Sequence, residues 1–167
     1  MALGLLIIRL AVGLTLAAHG AQKLFGMFGG HGIAGTAGFF EAIGFRPGRP
    51  LALLAGLGEV AGGLALALGL FTPFAAAVVI ATMTVAVVGV HLEKGFFAQN
   101  GGYEFALVMA LTAAGVAFAG PGALSVDEAL GLSLAGGWWG VIAIGVGIVG
   151  SLPPLLSRAA AARRQSA

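Results

Sequence analysis

Apolar residues run through this chain in stretches too long for the core helices of a soluble domain. Five segments, residues 3–25, 50–70, 72–91, 103–119 and 138–156, approach or exceed the roughly 20 helical residues that cross a bilayer core of about 30 Å. Prolines and glycines punctuate them. Pro50 opens the second segment, where a helix tolerates it, Phe71-Thr72-Pro73 makes a tight turn into the third, and Pro121-Gly122 closes the fourth. Trp138 and Trp139 stand at the start of the fifth as interfacial anchors, and Pro153-Pro154 are expected to fray its end. Residues 157–167 read as a loose tail. In the long link from Gly26 to Arg49, Phe39, Phe40, Ile43 and Phe45 with Glu41 predict a short helix over residues 33–45 that lies on the membrane surface or re-enters it. The first segment resembles a signal peptide only in part: its basic n-region is nearly absent and the apolar run continues to Phe25, so it is expected to be retained as a span.

Composition agrees with the pattern. Apolar residues make up 59% of the 167 and charged residues only 8%, against about 25% charge in an average soluble domain, and the mean hydropathy is +1.06. The eight cations form no nucleic-acid stripe and act as topology markers. With the C-terminus in the cytoplasm, five spans put Lys23, Arg46, Arg49, Lys94, Arg158, Arg163 and Arg164 inside, and leave Asp127 and Glu128 outside. The expectation is an outside N-terminus and a cytoplasmic C-terminus. No cysteine is present, which excludes disulfides, thiolate metal sites and iron–sulfur clusters within the chain.

One span departs from the apolar norm. The first carries Arg9, His19, Gln22 and Lys23. At about 100° per residue, with His19 at zero, Gln22 points to about −60°, Lys23 to about +40° and Arg9 to about +80°. One face of this helix is therefore polar, and polar groups in a membrane turn toward partners or a cavity. Glu59, near the middle of the second span, is the strongest partner. Ala55, Gly62 and Gly63 share its face and permit close backbone approach, and an Arg9–Glu59 pair is within reach of a long arginine side chain. That pair reads either as a structural ion pair or as part of a ligand or proton site. A second polar group gathers at the cytoplasmic ends, where His19, His91, Tyr103 and Glu104 come from different helices. It reads either as interfacial snorkelling and capping or as a polar pocket roofed by residues 26–49, with donors at its mouth and apolar walls below. The latter suits a lipid-soluble headgroup such as a quinone. No spacing of i, i+3 or i+4 supports a metal pair within one helix, so no metal site is expected. His31 reads as a loop residue, and Thr82, Met83 and Thr84 as packing.

The motifs themselves are familiar. Arg9-Leu-x-x-Gly is followed by His19-Gly-x-x-Lys23-Leu-Phe-Gly, by Gly38-Phe-Phe-Glu-x-x-Gly-Phe45, and by Glu59-x-x-Gly-Gly-x-x-Leu-x-Leu-Gly-Leu-x-Thr72. His91, Gly102-Tyr103-Glu104 and Gly120-Pro121-Gly122-x-Leu-Ser125-Val-Asp127 continue the order. Over about residues 5 to 130 this set resembles the DoxX family of bacterial membrane proteins. The resemblance implies a protein of the cytoplasmic membrane with a four-helix core. It also implies a kinship with the small subunit of thiosulfate:quinone oxidoreductase and with oxidative-stress and thiol or sulfur redox complexes. Two features depart from the family pattern: the fifth span, and Pro73 after Thr72 where the family often has arginine.

The fold expected is therefore an all-α integral membrane bundle. Residues 1–130 form a DoxX-like four-helix core, and residues 131–167 add a further transmembrane helix that packs outside the core or mediates assembly. The leading functional expectation is a membrane subunit of a quinone-linked redox system; if catalytic, it acts as an oxidoreductase subunit with quinone as acceptor. In it, Arg9 and Glu59 form the buried charge pair, His19 and Lys23 orient and protonate the headgroup, and Gln22, His91, Tyr103 and Glu104 complete the site. Quinone is the one cofactor implied; neither metal nor flavin is. The alternatives are a non-enzymatic scaffold that docks soluble redox enzymes on the cytoplasmic side, and a small-solute carrier working as a homo-oligomer.

Overall fold

The computed structural model describes residues 1–165, and among them every regular element is helical. Helix α1 spans Ala2–Phe25, α2 Gly32–Ala42, α3 Gly48–Leu68, α4 Thr72–Ala86, α5 Glu104–Ala119, the short α6 Val126–Ala129, and α7 Gly137–Gln165. Helix α4 runs on through a π-helical turn at Val87–His91 and a tight turn at Leu92–Lys94. By length and composition α1, α3, the extended α4 and α7 can each cross a membrane. The predicted fourth span, α5, has 16 residues, about 24 Å of helix, and is shorter than a full crossing requires. Together they make an integral membrane helix bundle.

Four helices close the core: α1 packs on α3, α3 on α4, α4 on α5, and α5 on α1. Helix α7 lies against α4 and α5, with Ala143 fully buried and Trp139 edge-on to Phe74 at 5.9 Å. The interior is built from small and flexible side chains, among them Ala76, Val79, Met83, Met109 and Ala113, which let the helices approach closely in the absence of a hydrophobic driving force from lipid.

The register of α1 on α3 fixes which polar side chains can meet. A Cβ on Gly20 would lie 2.7 Å from the Gly56 carbonyl and from the Val60 amide, and one on Gly63 2.7 Å from the Ala17 amide. Only glycines fit, because the neighbouring atoms are backbone and cannot yield. The antiparallel contact sets Gly20 beside Gly56 and Val60, Gly13 beside Gly63 and Ala67, and Arg9 beside Gly69.

Two sequence expectations for α7 are corrected. Pro153 and Pro154 lie inside the helix rather than at its frayed end, and residues 157–165 continue it rather than forming a loose tail. The prolines remove only the helical bonds to the carbonyls of Val149 and Gly150. Beyond them the chain is held by tertiary contacts: the Ser157 hydroxyl donates to the Arg46 carbonyl at 2.6 Å, and Arg158 Nε donates to the Ile43 carbonyl at 2.9 Å. Residues 166 and 167 of the expected tail lie outside the described residues.

The helix expected over residues 33–45 is present as α2, Gly32–Ala42. It packs on the first half of α3, its Thr36 hydroxyl reaches the Lys23 carbonyl at 3.4 Å, and its Glu41 carboxylate accepts from the Gly48 amide at 3.2 Å.

Candidate functional site

The polar face of α1 is shared among four different neighbours. Arg9 is fully buried, and its guanidinium donates to the carbonyls of Pro121 and Leu124 in the loop before α6. The expected Arg9–Glu59 pair does not form. The glycine register puts Arg9 opposite Gly69, ten residues from Glu59 along α3 and so about 15 Å away. The Arg9 side chain also leans toward the N-terminus of its own helix, farther still from Glu59.

Lys23 takes that place. Its Nζ meets Glu59 Oε2 at 2.6 Å, with the carboxylate side chain 7% exposed and the lysine 25%. Cβ vectors lean toward the N-terminus of each helix. In an antiparallel pair Lys23 and Glu59 therefore lean toward each other, although their Cα atoms sit about one turn apart in register. The remaining α1 polar groups point elsewhere. His19 packs its ring on Phe105 of α5 at 5.5 Å, and Gln22 donates to the Phe28 carbonyl at 3.1 Å.

The second expected cluster also divides. Glu104 accepts from the Ala98 amide at 2.9 Å and Tyr103 sits edge-on to Phe96 at 5.5 Å, so both organise the loop between α4 and α5. His91 is different. The π-helical turn ends on it, its Nδ1 lies 2.6 Å from the Gly101 carbonyl, and its side chain reaches a cavity that Lys23 and Glu59 also line. A carbonyl can only accept, so Nδ1 carries the proton and Nε2 is left as an acceptor when the ring is neutral. π-Helical turns recur at functional sites.

That cavity has a volume of about 410 Å³, within the range of small-molecule sites. Helix α4 forms its floor, with Ala81, Thr82 and Val85, and α3 and α7 form the walls. Phe39, Phe40 and Phe45 of the α2 segment cover one end. Lys23, Glu59, His91 and Thr82 are its polar side chains; the rest of the lining is apolar or glycine. Of the eight residues expected from sequence, the structure brings Lys23, Glu59 and His91 together here. Arg9, His19, Gln22, Tyr103 and Glu104 lie outside it.

Three contributors are not evident from the sequence pattern. Thr82 reads there as packing; its hydroxyl donates back to the Val78 carbonyl at 2.9 Å while its side chain lines the cavity. Gly150 and Pro154 carry no side-chain chemistry to mark them. Gly150 lines the cavity with backbone alone, and Pro154, four residues on, has no N–H to offer its carbonyl. A Gly-x-x-x-Pro step inside an apolar span is the signal that marks such an exposed acceptor.

A separate polar cluster holds the opposite end of the bundle. Asp127, fully buried, accepts from the Phe71 amide at 2.7 Å, the Thr72 amide at 2.8 Å and the Thr72 hydroxyl at 2.7 Å. It thus caps the start of α4 from the remote short helix α6, replacing the local cap that Phe71 cannot supply. Asp127 also holds Phe71 in a left-handed conformation, φ 45°, that a bulky residue rarely adopts.

A family model described as DoxX matches residues 4–92, more than half of the chain, from the first turn of α1 to the end of the π-helical turn. No curated protein and no solved structure matches the chain.

Proposed function

The chain belongs to the DoxX family, and from that premise we propose that this multi-pass membrane protein is the quinone-binding subunit of a membrane redox system. The observation that carries the reading is a partly buried ammonium–carboxylate pair and an oriented imidazole set into a largely apolar cavity within the bundle. Apolar walls with a few convergent polar groups suit a ring with oxygen atoms on its rim. Lys23 spends one donor on Glu59 and keeps two for a ligand carbonyl. His91, through Nε2, can accept from a quinol hydroxyl or, once protonated, donate to a quinone oxygen.

Reduction of a quinone to a quinol takes up two electrons and two protons. Lys23 and His91 are suited to deliver protons to the two oxygens, with Glu59 holding the ammonium in place. The electrons come from a partner redox enzyme, in keeping with the sulfur and thiol systems that the family resemblance suggests. The cation bias favours a cytoplasmic Lys23 end in a bacterial inner membrane, where a soluble donor would dock.

Mass spectrometry of small molecules retained by the purified protein tests this reading. Near-stoichiometric quinone is expected in the wild type. Lys23→Met removes a charged hydrogen bond worth about 1.5–3 kcal/mol, so affinity should fall roughly 10- to 100-fold. His19→Ala should leave it unchanged, because His19 faces Phe105. A protein that retains no quinone, or a Lys23→Met variant that binds as tightly as the wild type, would end the proposal.

A second reading is favoured by the length of α7. Its 29 residues extend about 43 Å, beyond a bilayer core of about 30 Å, and carry Arg163 and Arg164 exposed near the C-terminus. In that reading the chain is a scaffold that recruits an acidic soluble redox enzyme without binding quinone itself.

A further inference from the structure

The cavity around Lys23 and Glu59 is shut on one side and open on another. At the basic end Phe40 and Phe45 stack at 5.6 Å, and Phe45 is only 2% exposed. The turn that carries Phe45 is clasped by α7: Arg158 and Ser157 bond the carbonyls of Ile43 and Arg46, and the Arg158 guanidinium lies 5.8 Å from the centre of the Phe45 ring. Water on that side meets a pinned aromatic cover.

The flank is different. Leu54 and Val78 line the cavity and yet are 61% and 37% exposed on the outer faces of α3 and α4. Gly58 on one wall and Gly150 on the other contribute no side chain to close the gap between them. From Val78 to His91 the lining follows the extended α4 for 13 residues, about 20 Å of helix, so the opening lies at the depth of the hydrocarbon, with Glu59 next to Gly58 at its edge and His91 toward the basic end.

We infer that the site is loaded sideways from the bilayer and takes a hydrocarbon-tailed ring compound. The head sits at Lys23, Glu59 and His91, and the tail leaves between the Gly58 and Gly150 walls into the lipid. The inference rests on the quinone reading for the identity of the head and goes beyond it in assigning the entry route and the path of the tail. The same ring without a tail keeps the head contacts and forgoes only those along the flank.

The glycine walls can be filled without disturbing the fold. A Cβ on Gly150 would rest 3.6 Å from Ala81 Cβ, and one on Gly58 3.7 Å from Val78 and 3.8 Å from Thr82. These are ordinary contacts, so Gly150→Leu and Gly58→Leu should fold and plug the flank from opposite walls. Full-length wild type and both variants would be titrated in lipid nanodiscs with two probes, a benzoquinone bearing a long isoprenoid tail and the same ring without it. The wild type should bind both and prefer the tailed probe. Each plug should weaken the tailed probe at least tenfold more than it weakens the bare ring. If the wild type binds both probes and neither plug discriminates between them, the sideways route is wrong and the headgroup site stands. If the wild type binds neither probe, the headgroup reading and this inference fall together.

Discussion

At the scale of single residues, the membrane-embedded charges divide into a structural set and a chemical set, and partners rather than residue type make the division. Arg9 is occupied by two loop carbonyls, and among the described residues its Nε meets no acceptor. Its site is a joint between α1 and the loop that delivers Asp127 to α4. Arg9→Met would leave two carbonyls unpaired and remove the buried cation nearest to the Asp127 cluster. Removing one member of a buried charged network costs about 3–5 kcal/mol, so the melting temperature in detergent should fall sharply. Asp127→Asn, which keeps one good acceptor oxygen for three donors, should cost about 1–3 kcal/mol. If the two sites form one unit, the double variant should lose less than the sum. Strict additivity would mean that the two groups act independently.

At the scale of elements, the α1–α3 contact is the gauge that brings Lys23 to Glu59. Gly20 is a tight, testable point in it, because a side chain there meets backbone. Gly20→Val should force the helices apart, cost about 1–3 kcal/mol by overpacking and lower quinone retention with it. Gly4→Val, on the same helix with nothing within 4 Å of the added carbon, should do neither. Equal behaviour of the two variants would refute the register as the positioning device. The π-helical turn is the second element-scale device. Gly89 within it lies against the Phe45 ring, so the irregular turn both seats the aromatic cover and turns His91 toward the cavity.

At the scale of the whole molecule, charge and topology combine. Antiparallel alternation brings the C-terminal ends of α1, α4 and α7 together with the N-terminal ends of α3 and α5. Seven of the eight Lys and Arg residues therefore lie at that end, with Arg9 the exception. The chain lacks cysteine, so a single introduced thiol reports sidedness without background. In intact cells Ala162→Cys should resist a membrane-impermeant thiol reagent, and Ser133→Cys should react. The reverse pattern would invert the topology and move the proposed docking face for a redox partner to the other side.

Much of this architecture is legible in the chain. The spans are readable because hydropathy is summed over some twenty residues and tolerates local error. Helix α2 is readable from its aromatic cluster, and the family from the order of its motifs. Lys23, Glu59 and His91 stand out because charge and imidazole are costly in lipid. What the sequence by itself determined, then, is the membrane bundle, the basic end and the small set of polar residues that need partners. Which partner each one meets was decided by tertiary structure. Pairing depends on the axial offset between helices remote in sequence, and here backbone contacts at Gly13, Gly20, Gly56 and Gly63 set that offset to within a turn. The same holds for the α7 clasp and the open flank. Whether a proline pair ends a helix, or a glycine leaves a gap, depends on what lies beside it, and a one-dimensional pattern carries no such information.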